Sequence, residues 1–266
     1  MEKPIGVFDS GMGGLTVLKE LMRVLPYEHF VYLGDTARVP YGGKSAETIT
    51  RYSMEIANYL IRRRDIKMLV VACNTASSLA LPAMRKIYRI PVVGMVDPCV
   101  RIVSGLRRIS NIGVIGTQGT IRSGAYEEAL LAAIPSAKVR SIPCPLFTPL
   151  VEEGWVDHDI TRAVIAEYLS PFRSNPPDAL ILGCTHYPVL KKAIREYIGE
   201  KTVLVDSGEA AAAVVDILLS ETLARGKKKG QKTLFLATDD PERFERVGKW
   251  FFGGDIKGVR LTTLQE

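Results

Sequence analysis

The chain has 266 residues, 47% of them hydrophobic and 24% charged, and a mean hydropathy of +0.09. That is enough apolar material for one large or two small globular domains, and it excludes a disordered or fibrous protein. The net charge of +6 raises a nucleic-acid partner, but Lys and Arg are spread along the chain, and the densest run, Lys227-Lys228-Lys229 between Gly226 and Gly230, reads as a solvated loop.

From the N-terminus, Met1-Glu2-Lys3-Pro4 passes straight into the strand-like run Ile5 to Phe8, without a basic segment, a long apolar run and a cleavage site. A helix follows with Leu18, Leu21, Met22 and Leu25 on one face, closed by Pro26. Strands are expected at Phe30 to Leu33, Met68 to Ala72 and Pro91 to Val96, with one long amphipathic helix marked by Ile49, Tyr52, Ile56, Tyr59 and Leu60. Further on, strands are expected at Val203 to Val205 and Thr233 to Ala237, separated by a helix from Ala210 to Leu223. No apolar stretch approaches the roughly 18 residues of a membrane span. A cytoplasmic protein with neither a membrane nor a nucleic-acid partner is expected.

Midway along the chain the pattern restarts. Ile5-Gly6-Val7-Phe8 is echoed 107 positions on by Ile112-Gly113-Val114-Ile115, and Leu69-Val70-Val71-Ala72-Cys73-Asn74-Thr75 is echoed 111 positions on by Leu180-Ile181-Leu182-Gly183-Cys184-Thr185-His186. Short apolar runs ending in small residues also recur by chance, but two similar offsets point to a duplicated order in which a buried strand ends on a cysteine. The expected fold is α/β, with two similar doubly wound, mostly parallel-sheet domains related by pseudo-twofold symmetry. Their expected limits are 1–97 plus 207–266 for the first and 98–206 for the second, with a boundary near Asp97-Pro98 and the active site in the cleft between them.

The chemistry concentrates where such strands end, because ligands of open α/β sheets bind beyond the carboxyl ends. The loops there are Asp9 to Gly14, Cys73 to Ser77, Gly116 to Thr120 and Gly183 to Pro188. Cys73, Cys99, Cys144 and Cys184 are too dispersed for a C-x-x-C motif and are read as free thiols. A thiol at a helix start is expected to have a lowered pKa. One such cysteine is ordinarily an inert core residue, but two at equivalent positions would approach a ligand from opposite faces, as inversion of a tetrahedral carbon requires. Asp9 is either a turn carboxylate or the partner of Cys73; His186 is placed to serve Cys184, and Glu152 is by default a solvated surface carboxylate or else the group behind His186. Ser10, Asn74, Thr75, Thr117, Thr120 and Thr185 offer hydroxyls and amides that either cap helices or stabilise a carbanion's carboxylate. The stretch Gly11 to Gly14 fits neither a dinucleotide fingerprint nor a P-loop, and His29, His158 and His186 are too dispersed for a metal site.

Taken together, Phe8 to Val17, Gly34 to Gly42, Ala72 to Ser77 and Gly183 to Pro188 resemble the glutamate racemases, within the cofactor-independent aspartate/glutamate racemase superfamily. The resemblance covers nearly the whole chain. It implies Cys73 and Cys184 as the acid/base pair, assisted by Asp9, His186 and Glu152, and substrate contacts from Asp9, Ser10, Tyr41, Gly42, Asn74, Thr75, Thr185 and His186, joined by Thr117 and Thr120. It further implies glutamate as substrate, no pyridoxal phosphate or metal cofactor, a homodimer, and a supply of D-glutamate for peptidoglycan and hence cell shape. The chain begins at its first strand, so the N-terminal extension that some members link to activation by a peptidoglycan precursor is not expected. Rival readings are a superfamily racemase acting on aspartate or a similar acid, a two-lobed amino-acid-binding protein without turnover, and a thiol hydrolase, which would leave one cysteine idle.

Overall fold

The computed structural model describes residues 3–221 and 230–264. The run Lys227-Lys228-Lys229 and Leu223 lie outside the described residues. The first strand, β1 (Ile5–Asp9), is buried along its whole length, as expected of an apolar run covered on both faces of a parallel sheet. Helix α1 (Leu15–Val24) buries Leu15, Val17, Leu18 and Leu21 and ends before Pro26, and β2 (Phe30–Gly34) pairs parallel with β1. The long helix α2 (Ala46–Arg64) buries Ile49, Ser53, Ile56, Ala57 and Leu60 and stops at Asp65, which adopts the left-handed conformation. Next come β3 (Met68–Val71) and α3 (Asn74–Ile87).

The strand expected over Pro91 to Val96 shrinks to β4 (Val92–Val93). The Met95 amide donates to Ser77 Oγ instead of extending the ladder, and Val96 already opens α4 (Val96–Ser104), with Asp97-Pro98 in its first turn, where a proline costs no helix hydrogen bond.

The second sheet comprises β5 (Asn111–Gly116), β6 (Lys138–Pro143), β7 (Ala179–Gly183) and β8 (Val203–Asp206). Between them lie α5 (Gln118–Arg122), α6 (Ala125–Ala133), α7 (Phe147–Glu152), α8 (Asp159–Leu169) and α9 (Lys191–Ile198). From β8 the chain enters α10 (Ser207–Glu221), which buries Ala211, Ala212, Val215 and Leu219 in the same apolar cluster as Leu15, Leu18 and Leu21. It then rejoins the first sheet through β9 (Thr233–Ala237), followed by α11 (Pro241–Phe252) and β10 (Arg260–Leu261).

All pairings are parallel, in the orders β10-β9-β2-β1-β3-β4 and β6-β5-β7-β8. The four strands β2-β1-β3-β4 therefore share their order with β6-β5-β7-β8. The register carries the repeat as well: Ile5 faces Met68 in one sheet and Ile112 faces Ala179 in the other, so each member lies 107 or 111 positions beyond its counterpart. Two doubly wound parallel sheets related by pseudo-twofold symmetry thus place equivalent strand ends in equivalent positions. Among the described residues no helix is long and apolar enough to cross a membrane.

Candidate active site

A cavity of about 420 Å³ is lined from the loops beyond the strand ends: Ser10 after β1, Val39 to Gly43 after β2, Cys73 to Thr75 after β3, Thr117 and Gln118 after β5, Pro145, Thr148, Pro149 and Glu152 after β6, and Cys184 to His186 after β7. The two cysteines marked by the repeat open onto this one space. Cys99 and Cys144 are buried elsewhere, and all four are free thiols.

On the first-sheet side, Cys73 sits at the N-cap of α3, and its Sγ lies 3.7 Å from Ser10 Oγ. The expectation of a lowered pKa fails at Cys73: burial and then the charge of Asp9 push the thiol up to about 12, outweighing the Ala76 amide and Ser10. Asp9 is fully buried; its Oδ2 accepts the Gly11 amide at 3.0 Å, and Oδ1 has no partner. Burial raises its pKa, against the pull of His186 and the backbone amides of Gly11, Gly14 and Ser10. Asp9 therefore stands behind Cys73 without lining the cavity, where its charge adds to burial in disfavouring the thiolate.

The second-sheet side is built differently. His186 Nδ1 lies 3.8 Å from Cys184 Sγ, and His186 Nε2 lies 3.1 Å from Glu152 Oε1. Burial favours the neutral ring, but hydrogen bonds and attraction from Cys184 and Glu152 prevail and push the His186 pKa up to about 10. The charged form of the imidazole is thus favoured. Burial also opposes the charge of Glu152, yet His186 and Arg243 hold its carboxyl below the usual range. Sequence reading missed Thr148, whose Oγ1 is 3.8 Å from Cys184 Sγ. Its position four residues before Glu152 on α7, one helical turn away, was the available signal.

The hydroxyls gather between the cysteines. Thr75 Oγ1 lies 2.9 Å from Thr117 Oγ1 and 3.2 Å from Thr120 Oγ1, and the latter two are 3.0 Å apart. Thr75 and Thr117 line the cavity, whereas Thr120 supports them from behind. Thr117 also caps α5, so its capping and cavity-lining readings coexist. Asn74 is braced at both ends: its Oδ1 accepts from Tyr126 at 2.6 Å and its Nδ2 donates to Ser207 at 3.1 Å. Tyr41 lines the cavity, but its hydroxyl donates to Asp35, which also accepts from Arg38 and Thr238. Its ring and the adjacent Gly42, not a free hydroxyl, face the space. Tyr126 and Ser207 were not singled out from the sequence, because their partner Asn74 is 52 and 133 positions away; Asp35 was also missed, although Tyr41 and Arg38 lie only six and three positions from it.

A duplicated parallel frame with one reactive cavity at its facing strand ends defines an isomerase of the amino-acid racemase class, and kinship carries that assignment. The chain belongs to the Asp/Glu/hydantoin racemase family, whose model matches residues 5–215. A glutamate racemase of Geobacter metallireducens is 50% identical over 264 residues, covering 99% of this chain and 97% of its own length. The crystal structure of glutamate racemase from Francisella tularensis in complex with D-glutamate has a TM-score of 0.93 at 39% identity, covering 99% of this chain and 98% of that one. Glutamate racemase from Thermus thermophilus, in complex with β-chloro-D-alanine, has a TM-score of 0.90 at 44% identity, with the same shares covered.

Proposed function

We propose that this chain interconverts L- and D-glutamate by exchanging the α-proton between Cys73 and Cys184, one on each face of the substrate. The observation that carries the reading is that the two thiols, delivered by equivalent strand ends of the two sheets, open onto one cavity. In one direction Cys184 Sγ, as thiolate, takes the α-proton and the C–H electron pair passes into the substrate carboxylate, while Cys73 gives its S–H proton to the opposite face. Cys184 ends as a thiol and Cys73 as a thiolate, and the reverse reaction runs through the same atoms. The protonated His186 beside Cys184 and the Asp9 charge beside Cys73 manage the two sulfur protons. The hydroxyls of Ser10, Thr75, Thr117 and Thr185 and the amides of Gly42 and Asn74 are suited to hold the charged groups of the substrate, including the carboxylate that gains charge in the transition state. Glutamate is favoured as substrate by the similar racemases that bear its name.

In D2O the enzyme should invert L-glutamate with deuterium entering at the α-carbon, and no inversion would exclude the assignment. With 3-chloroglutamate, abstraction alone suffices for elimination, so Cys73→Ser and Cys184→Ser should each lose racemisation and retain opposite enantiomers as elimination substrates. A shared stereochemical preference would replace two bases by one.

The return of β9 and β10 to the first sheet supports a division into 1–97 plus 207–266 and 98–206. The proposed product, D-glutamate, would serve peptidoglycan synthesis in the cytoplasm, from a homodimer. Rescue of a D-glutamate-requiring bacterium and sedimentation of the purified chain test those two points.

A further inference from the structure

We propose that Arg243 is a positioning residue for the Cys184 face: by sharing the Glu152 carboxylate with His186, it fixes the direction from which the imidazole addresses the sulfur. This rests on the reading that each cysteine owns one face of the substrate. Arg243 Nη2 lies 3.5 Å from Glu152 Oε2, while the other oxygen, Oε1, holds His186 Nε2 at 3.1 Å and leaves Nδ1 turned toward Cys184. The same helix touches the relay twice. Two turns beyond Arg243, Phe251 meets the His186 ring edge-on, with centroids 4.9 Å apart.

The arrangement joins distant parts of the chain. Helix α11 follows β9 of the first sheet, whereas Glu152 ends α7 and His186 follows β7 of the second. Arg243 is itself anchored, since its amide donates to Asp240 Oδ1 at the helix cap. The charged and titratable groups facing the Glu152 carboxylate are His186 from the loop after β7 and Arg243 from α11. Among the described residues, the contacts of Arg243 are with Glu152 and Asp240, and none reaches Asp9, Ser10 or Cys73, so its direct support falls on the Cys184 side.

Arg243 is 41% exposed, which keeps its leverage modest: loss of a half-exposed pair corresponds to about fivefold or less. The pH dependence has a defined sign. Both cations hold Glu152 below the usual carboxylate range; removing one raises the pH at which Glu152 takes a proton and releases His186. The acid limb of the Cys184-side reaction should therefore move to higher pH.

The test uses Arg243→Gln and Arg243→Lys with both enantiomers of 3-chloroglutamate, beside Cys73→Ser and Cys184→Ser as references. Arg243→Gln should slow elimination up to about fivefold for the enantiomer that Cys184→Ser loses, with the acid limb raised, and leave the other enantiomer unchanged. Arg243→Lys should restore the limb. Equal loss for both enantiomers, no loss, or an unmoved acid limb would overturn the role of Arg243 while leaving the two-base function standing. If the two cysteine variants keep the same enantiomer, the two-base function and the inference both fall.

Discussion

Gly13 is where a single methyl group tests the cleft most sharply. A Cβ built there would lie 2.4 Å from Thr185 Oγ1 and 2.5 Å from the His186 ring, under the 3.0 Å that real contacts respect. Both neighbours are buried, and His186 is held by Glu152 on one side and Phe251 on another, so neither can swing into solvent. Overpacking of this kind costs about 1–3 kcal/mol, which is about five- to 150-fold if it falls wholly on the transition state. Part of the strain will relax through the loop between β1 and α1, lowering Tm by about 2–4 °C per kcal/mol. We therefore expect Gly13→Ala to lose between five- and 150-fold in kcat/KM for racemisation, equally in both directions because the two enantiomers are isoenergetic. Gly43→Ala is the control: it lines the same cavity, but its added methyl meets nothing within 4 Å. Kinetics in both directions together with thermal unfolding decide the matter. Wild-type kcat/KM and wild-type Tm in Gly13→Ala would refute the idea that this glycine exists to let Thr185 and His186 close on the cavity.

Thr75→Ala removes the hydroxyl shared by Thr117 and Thr120 and should lower kcat/KM about tenfold or more, as loss of a hydrogen bond to a charged substrate group costs about 1.5–3 kcal/mol; unchanged kinetics would leave the threonines as caps alone. Asp9→Asn should reduce activity yet raise Tm at neutral pH, because the buried carboxyl has a folded pKa above its unfolded value of 3.8. The stability that its protonated form provides below that pH is lost as pH rises through the folded value, so the advantage of Asn should shrink on acidification. An advantage that grew in acid would contradict this. Racemisation should survive prolonged chelation and dialysis, since the proposed proton path uses only side chains; activity that fell and returned with added metal or pyridoxal phosphate would exclude that path.

Much of the frame could be read from local pattern. The buried run Ile5 to Phe8, the stripe of Leu18 and Leu21, and the doubled strand ending on Cys73 and Cys184 follow from periodicity and repetition, because a parallel sheet demands apolar strands and the duplication preserves their order. The edge strand β6 escaped notice because its alternately exposed residues Lys138 and Arg140 interrupt the apolar signal. The truncation of β4 depends on Ser77, eighteen positions away, capturing the Met95 amide.

The sequence by itself determined which chemical groups were available and that each lay beyond a strand end: two thiols, a histidine one residue past Thr185, and hydroxyls at helix starts. Only the tertiary structure decided their electrical states and partnerships. Burial and Asp9 turn the expected acidic thiol at Cys73 into one that holds its proton, Glu152 and Cys184 favour the charged form of His186, and Asp35 takes the Tyr41 hydroxyl away from the cavity. Desolvation and charge coupling depend on burial and on distances in three dimensions, which no local periodicity encodes.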